Sequence, residues 1–348
     1  MSPPGGLDQA SGEAAVAAIA ADCSGHLGLA ARHLQTGQEL CWQPDAVVGT
    51  ASAVKVGILC AVMLACRRGQ LDLGREVRLT AADQTGGSGV LALLTPGLTA
   101  TVADLTTLMI TLSDNTATNM LIGMCGGAGA VTAALAELGF GGIRLNRPIL
   151  MTPQRLDPPL LSGTATANEP ATANDPATAA DSGPKGPGPA AGSPAASAPA
   201  SSPLATASPA ELCRLMAALE AGSVVDAEAS AQVIGVLRHQ QSHPLFPRAF
   251  TSVAEPNDPP GPDGPAIASK AGWTSGRRVE TGLLYLPGDG GTIAYTAAAE
   301  NLADQSMTAL AEGDELLGRL GAVVLARWWP GPGPVPIRLG WLPGAAYG

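Results

Sequence analysis

The sequence is poor in aromatic residues and in positive charge. Aromatic side chains make up 3% of its 348 residues, charged ones make up 14%, and acidic residues outnumber basic ones by 29 to 19. The net charge of −10 argues against binding to nucleic acids or anionic membranes, because both need a positive protein surface. The sequence also lacks an apolar run long enough to span a membrane. We therefore expect neither a nucleic-acid partner nor a membrane partner.

Metal-binding patterns are missing as well. The sequence has six cysteines and four histidines, but no C-x-x-C pair. His239 and His243 are four residues apart, and no third ligand accompanies them. We interpret the cysteines as free core thiols and expect no metal and no cofactor. The cysteines are Cys23, Cys41, Cys60, Cys66, Cys125 and Cys213.

The start of the chain does not resemble a secretory signal, because Met1 to Gly6 has neither a basic segment nor an apolar one. This predicts a cytoplasmic protein, or a secreted or periplasmic one if the signal has been removed.

Residues 152–203 consist almost entirely of Ala, Pro, Thr, Ser, Gly, Asn and Asp, a composition that cannot bury enough apolar surface to fold. We expect a disordered surface insertion there, with a functional lid as the alternative, and an irregular Pro/Gly-rich tail over 330–348.

Predicted strands lie at both ends of the chain, and predicted helices lie between them. The segments 26–34 and 39–44 flank a turn sequence and are expected to form a β-hairpin. Three further strands are expected over 266–271, 280–286 and 292–298. Helices are expected over 13–22, 101–109, 116–124, 131–138, 209–221, 227–240 and 307–328. This order predicts an α+β fold (an α/β sandwich) in a single catalytic domain over 1–348. Its antiparallel sheet lobe (about 13–50 and 227–329) and helical lobe (about 51–226) would enclose a cleft.

The stretch from Thr50 to Arg68 predicts a buried helix with a reactive serine at its start. Positions 56–66 are apolar on every face, as in a core helix. Because positions i and i+3 share a helix face, the hydroxyl of Ser52 and the amine of Lys55 can meet. A lysine can activate a serine if burial and the helix N-terminus disfavour its charged form. On this pattern alone a capping serine with an outward-pointing lysine is favoured, because S-x-x-K is common by chance.

Three motifs in order give the serine its context. They are Ser52-x-x-Lys55, Ser113-Asp114-Asn115 and Lys270-Ala271-Gly272. S-x-x-K, S-D-N and K-T-G mark class A β-lactamases and penicillin-binding proteins, and the sequence resembles that superfamily, class A in particular. The resemblance extends from about Gly25 to Trp328, apart from the insertion, and includes Asn119 after the second motif.

The resemblance implies a division of chemical roles. Ser52 corresponds to the acylated nucleophile and Lys55 to the base that activates it. Ser113 would pass a proton to the leaving nitrogen, and the backbone N–H groups of Ser52 and Trp273 would form the oxyanion hole. Lys270 would hold Ser113 and a substrate carboxylate electrostatically. For Asp114 we favour a structural role, as a buried cap, over a catalytic one.

The substrate side of the site departs from the family pattern at one position. K-T-G has become K-A-G, and the lost hydroxyl often helps to bind a carboxylate. Arg277 or Arg278 could compensate with a bidentate contact, although a surface arginine is the commoner outcome. The predicted substrate-binding residues are Asn115, which would also support Lys55, and Ala271, Gly272, Trp273, Arg277 and Arg278.

A second departure concerns deacylation. The family's deacylating glutamate follows an arginine by two residues, and Arg147 is the best match for that arginine. Ile149 then stands where the glutamate is expected. Asp157, Glu169 and Asp175 are possible replacements, but they lie in or near the polar insertion, and a general base must be held close to its water. Acylation should survive, and release of a β-lactam should be slow.

We therefore expect a serine hydrolase or acyltransferase that cleaves a small-molecule amide, ester or β-lactam through an acyl-enzyme on Ser52. With Ile149 in place of the glutamate, an intracellular, biosynthetic hydrolase is favoured over a resistance enzyme. A true class A β-lactamase is the main alternative, followed by a D,D-peptidase. A non-catalytic penicillin-binding sensor is the alternative from another class. The sequence does not determine the oligomeric state.

Overall fold

The computed structural model describes residues 6–153, 203–241, 245–249, 265–307 and 311–329. The predicted insertion lies almost wholly outside these residues, as do the predicted tail, His243 and the three alternative carboxylates. The helices are α1 (Gln9–Ala21), α2 (Lys55–Arg67), α3 (Val102–Thr111), α4 (Asn115–Met124), α5 (Ala128–Glu137), α6 (Pro209–Glu220), α7 (Ala227–Arg238) and α8 (Glu312–Trp328). The strands are β1 (His26–His33), β2 (Glu39–Trp42), β3 (Val48–Gly49), β4 (Glu76–Arg78), β5 (Thr99–Thr101), β6 (Arg144–Leu145), β7 (Ala205–Ala207), β8 (Ala266–Thr274), β9 (Arg277–Tyr285) and β10 (Thr292–Glu300).

The main sheet joins the two ends of the chain, as the sequence predicts. Its five strands follow the order β2-β1-β10-β9-β8, and every neighbouring pair is antiparallel. Strand β1 pairs with β10 over its whole length, from His26 opposite Glu300 to His33 opposite Ile293. Strand β8, which carries the K-A-G motif, lies at one edge of the sheet. Two small sheets, β3-β7-β6 and β4-β5, complete the strand pairings of the described residues.

The two faces of the main sheet bury different sets of side chains, because successive residues of a strand point to opposite faces. On β1, Leu29 and Ala31 belong to a core formed with α1 and α8. Ala30 between them belongs to the larger core around α2 and α6. Helix α2 runs through this second core, and its residues 55–65 are all buried. The predicted helix inside a core is thus confirmed.

Ser52 lies in a short 3₁₀ segment that precedes α2, and not in the first turn of the α-helix itself. Residues Ala51–Val54 form a 3₁₀ turn, and α2 begins only at Lys55. Ala51 has a φ of +46°, a left-handed conformation that is uncommon for a residue with a side chain. The N–H of Thr50 donates to Ala205 O on β7 (3.0 Å), which holds the chain just before the turn.

Among the residues that the structure describes, no single helix is both long and apolar enough to cross a membrane. Helices α4 and α5 satisfy that test only together, as a pair bent by 72°, on length and composition alone. Over the same residues, no group of three or more His, Cys, Asp or Glu side chains is arranged to hold a metal ion.

Candidate active site

The first two motifs meet around one buried amine. Lys55 is completely buried, and its Nζ lies 2.6 Å from Ser113 O, 3.0 Å from Ser113 Oγ and 3.0 Å from Asn115 Oδ1. Ser52, one turn earlier, is only partly buried. The lysine side chain therefore lies deeper in the protein than Ser52, in contact with the S-D-N segment, and does not extend to the solvent.

All three neighbours of this amine can accept its N–H groups. Ser113 O and Asn115 Oδ1 can only accept, and the Ser113 hydroxyl accepts from Nζ as well. Burial lowers the pKa of Lys55 well below its usual range, and the charge on Lys270 lowers this pKa further, while Asp114 acts in the opposite direction. Burial and the charge on Lys270 therefore favour the neutral amine, which is the form that can act as a base.

Asp114 holds the S-D-N turn and does not take part in the contacts of Lys55. Its Oδ1 accepts from Ala117 N (2.9 Å), which caps the N-terminus of α4, and its Oδ2 accepts from Val90 N (2.7 Å) and Leu91 N (2.9 Å). Ser113 has a φ of +56°, a strained conformation that this capping keeps in place. The geometry agrees with the structural role that the sequence favoured for Asp114.

The glycine-rich segment 86–89, interpreted from the sequence as a simple turn, forms a wall of the site. Ser88 Oγ donates to Ser113 O (2.8 Å), and Ser88 O accepts from Asn115 N (3.0 Å). A Cβ at Gly89, whose φ is +103°, would lie 2.3 Å from the carboxylate of Asp114. The segment therefore needs glycine to approach the S-D-N turn this closely. Sequence reasoning missed Ser88, although the density of glycines was a signal for close packing.

The third motif brings strand β8 against the turn that carries Ser52. A Cβ at Gly272 would lie 2.5 Å from Ser52 N and 2.7 Å from Ala53 N, so only glycine permits this contact. The N–H of Ala271 points away from β9, off the free edge of the sheet, where it meets Gln240 Oε1 (3.1 Å). Two residues further along the strand, the N–H of Trp273 points off the same edge. This is the side on which an oxyanion hole shared with Ser52 would have to form.

Lys270 is buried on the helical side of the sheet, opposite Thr281. Its Nζ donates to Ala271 O (2.8 Å) and to Gln240 Oε1 (3.4 Å). Burial lowers the pKa of Lys270 to about 7, against the opposing effect of Glu280. An open cavity beside it is lined by Thr111, Leu112, Ser113, Gln240, Gln241, Lys270 and Trp273, so Ser113 and Lys270 face the same space.

The prediction that Arg278 might bind a substrate carboxylate is wrong. Its side chain is buried beneath α8, where Nε donates to Asp314 Oδ2 (2.5 Å). Its other nitrogens donate to the carbonyl oxygens of Thr274, Arg277 and Ser306, so all three nitrogens of the guanidinium have partners away from the site. Arg277 lies at the end of the sheet with its Nε 3.1 Å from Glu300 Oε2. Its assignment to substrate binding stays a prediction.

Ile149, at the place expected for the deacylating glutamate, is fixed against α4 by its backbone. Its N–H donates to Asn119 Oδ1 (2.9 Å), and Asn119 Nδ2 donates to its carbonyl oxygen (2.9 Å). Asn119 lies one helical turn after Asn115, so the two asparagines share a face of α4. Met151 Sδ lies 3.8 Å from Asn115 Nδ2. The side chain of Met151 therefore borders the site, and the backbone of Ile149 lies against Asn119.

We expect the free energy of unfolding to rise with pH between pH 7 and about pH 8.5. The folded pKa of Lys270 is about 7, whereas an unfolded lysine titrates near 10.4, so the unfolded chain binds more protons in this window. One such site contributes a slope of up to roughly 1.4 kcal/mol per pH unit, and Lys55 acts in the same direction. Denaturant unfolding at several pH values measures this slope, and Lys270→Met should lower it.

An equal slope in the wild type and in Lys270→Met would contradict this expectation. The window ends near pH 8.5 because cysteines of the unfolded chain ionise above it. Burial raises the pKa of Cys60 and Cys213 to about 12 in the folded state. Their effect on stability therefore has the opposite sign at higher pH.

Comparisons with known proteins agree with this geometry. The family model described as "Beta-lactamase enzyme family" matches residues 12–328. The β-lactamase from Sphaerobacter thermophilus DSM 20745 is 27% identical, with a TM-score of 0.70, and the match covers 94% of this chain and all of that one. A variant of PBP-A in its acyl-enzyme complex with penicillin G is 21% identical (TM-score 0.66; 92% and 97% covered). A mutant class A β-lactamase of the last common ancestor of Gram-negative bacteria is also 21% identical (TM-score 0.66; 90% and 97% covered).

The last two similarities concern the fold, which is the predicted α+β arrangement of a terminal-strand sheet with a helical lobe. The family match covers almost the whole described chain and includes all three motifs. On this match, joined to the site geometry, the chain belongs to the beta-lactamase enzyme family and is a serine hydrolase.

Proposed function

We propose that the protein cleaves an amide or ester through an acyl-enzyme on Ser52, and that β-lactams acylate it but are released slowly. The observation that carries the proposal is the buried amine of Lys55, in contact with Ser113 and Asn115 and one helical turn from Ser52. Burial disfavours the ammonium form of this lysine, which favours its action as a proton acceptor.

In the proposed acylation, Ser52 Oγ attacks the carbonyl carbon while its proton moves to Lys55 Nζ. Negative charge develops on the carbonyl oxygen, within reach of the N–H groups of Ser52 and Trp273. The bond to the leaving group then breaks, and Ser113 passes a proton to the leaving nitrogen. Lys55, in contact with the Ser113 hydroxyl, replaces that proton. Lys270 contributes positive charge on the other side of Ser113.

Release of the acyl group requires a water molecule and a base near the ester that has formed. A glutamate at position 149 would supply that base, and this chain has isoleucine there. Met151, next to Asn115, adds another apolar side chain to the same border. We propose that acylation therefore outpaces hydrolysis when the acyl donor is a β-lactam. The same site could transfer the acyl group to an acceptor other than water, or hydrolyse a smaller ester.

A second candidate is a class A β-lactamase that turns β-lactams over. It is favoured by the family match and by the 27% identity to the Sphaerobacter thermophilus β-lactamase. The two candidates share acylation and differ in the fate of the acyl-enzyme. The lifetime of the adduct therefore separates them.

Intact-protein mass spectrometry over time after addition of penicillin G tests both. We expect the wild type to gain the mass of one intact penicillin and to keep it, while Ser52→Ala gains none. A transient adduct with hydrolysed drug would identify a β-lactamase. An adduct that also forms on Ser52→Ala would refute the proposed nucleophile. If the wild type forms no adduct with penicillin G, a panel of esters and thioesters is tested as acyl donors. If none of them acylates Ser52, the proposed function is refuted.

A further inference from the structure

A buried amide side chain reaches the site from an element that carries none of the three motifs. Gln240 follows the C-terminus of α7 and is 3% exposed. Its Oε1 accepts from Ala271 N (3.1 Å) and from Lys270 Nζ (3.4 Å), and its Nε2 donates to Ser269 Oγ (3.3 Å). Three consecutive residues of β8 are thus bound by one side chain.

The orientation of this amide follows from its partners. The N–H of Ala271 and the amine of Lys270 are donors, and both meet the oxygen. The hydroxyl of Ser269 can accept, and it meets the nitrogen. A flipped amide would place its NH₂ group against two donors in a buried site, which is costly. Gln240 therefore supplies the acceptor that a neighbouring strand would otherwise offer to the edge of β8.

The backbone next to Gln240 is fixed to the opposite side of the cavity. Gln241 N donates to Thr111 O (3.1 Å) at the end of α3, two residues before Ser113. A single short segment thus joins the edge strand that carries Lys270 to the helix that leads into the S-D-N turn. The relative placement of Lys270 and Ser113 depends on this segment.

We propose that Gln240 is a positioning residue for acyl transfer: its side-chain oxygen holds the Lys270 amine and the edge of β8 in register with Ser113. This inference rests on the proposed function, because it assigns Lys270 a part in acylation. Gln240 itself need not touch the substrate. It acts through Lys270 and through the strand.

The choice of amide over carboxylate has an electrostatic consequence. The charged groups that interact with Lys270 are Glu280 on β9 and Lys55 on α2. With a neutral partner at position 240, burial keeps the pKa of Lys270 at about 7. A carboxylate there would favour the ammonium form and raise this pKa. Because the proposed acylation uses the ammonium form of Lys270, its rate should decline above pH 7 in the wild type and persist to higher pH in Gln240→Glu.

The experiment compares the rate of Ser52 acylation by penicillin G, followed by mass spectrometry across pH, in three variants. Gln240→Leu should lower the rate roughly 10- to 100-fold, because it removes the acceptor and loosens the geometry. Gln240→Glu should move the high-pH decline upward by about one pH unit or more. Gln232→Glu introduces the same charge on the exposed side of α7 and should leave the profile unchanged.

A second readout does not depend on acylation. The rise of unfolding free energy with pH reports on Lys270, and Gln240→Glu should flatten it between pH 7 and about pH 8.5 by moving the folded pKa toward the unfolded value. An unchanged profile and an unchanged slope in a folded Gln240→Glu protein would overturn the proposal. If the wild type is never acylated, the proposed function fails, and the slope still decides whether Gln240 controls Lys270.

Discussion

Replacing Lys55 by methionine is expected to slow acylation of Ser52 by roughly 10²- to 10⁴-fold, the range typical of a lost general base. Methionine has a similar length and no basic nitrogen, so Ser52 would have to lose its proton to water. The contacts of Lys55 with Ser113 and Asn115 would also be lost, which removes the path that returns a proton to the leaving group. The rate of adduct formation with penicillin G measures the effect.

Lys55→Arg is the matched control, because arginine is always positively charged and cannot give up its proton in proteins. If Lys55 acts as a base, both variants should be comparably slow. An arginine variant that acylates at the wild-type rate would show that the position contributes charge only, and the proposed role would be wrong. Near-ultraviolet circular dichroism of both variants should confirm that the core around α2 is intact.

Replacing Ile149 by glutamate is expected to shorten the lifetime of the penicillin adduct by roughly 10²- to 10⁴-fold, because it introduces a general base for water. The backbone of residue 149 is held at both its N–H and its carbonyl by Asn119, so a new side chain there should keep its direction. Glutamate and isoleucine also differ little in size. The rate of acylation should change much less than the rate of release.

Ile149→Gln is the control for this experiment. Glutamine matches glutamate in shape and polarity but cannot accept a proton from water. Adduct lifetimes that fall only in the glutamate variant would assign the gain to the base. Adduct lifetimes that shorten equally in the glutamine and glutamate variants would show that polarity or space, and not a base, limits release. Persistent adducts in both would place the limit elsewhere, for example at Met151.

Much of the fold was predictable because it depends on local patterns. The hairpin at 26–44, the buried helix after Ser52 and the three C-terminal strands were recognised from the alternation or continuity of apolar residues. The catalytic motifs were recognised because each needs fixed residue types at fixed spacing. The closing helix begins later than expected, at Glu312 and not at Met307, because Asp304 accepts from Glu312 N and fixes the start.

The rest of the site was not predictable because it depends on contacts between distant segments. Ser88 and Gln240 have no motif of their own, and only the fold brings them to Ser113 and Lys270. The location of Arg278 depends on Asp314, 36 residues away, which captures the side chain beneath α8. Sequence reasoning placed an arginine near the site but could not identify its partner.

The pairing of β1 with β10 affects the order in which the protein can fold. Strand β1 leaves the ribosome well before β10, because the paired residues His26 and Glu300 are far apart in the sequence. Contacts this distant in sequence close slowly, and partly made chains expose apolar surface until they close. Leu7 also donates to Ala326 O on the last helix. Truncation of the C-terminal strands should therefore leave nascent chains dependent on chaperones and unable to bind a β-lactam.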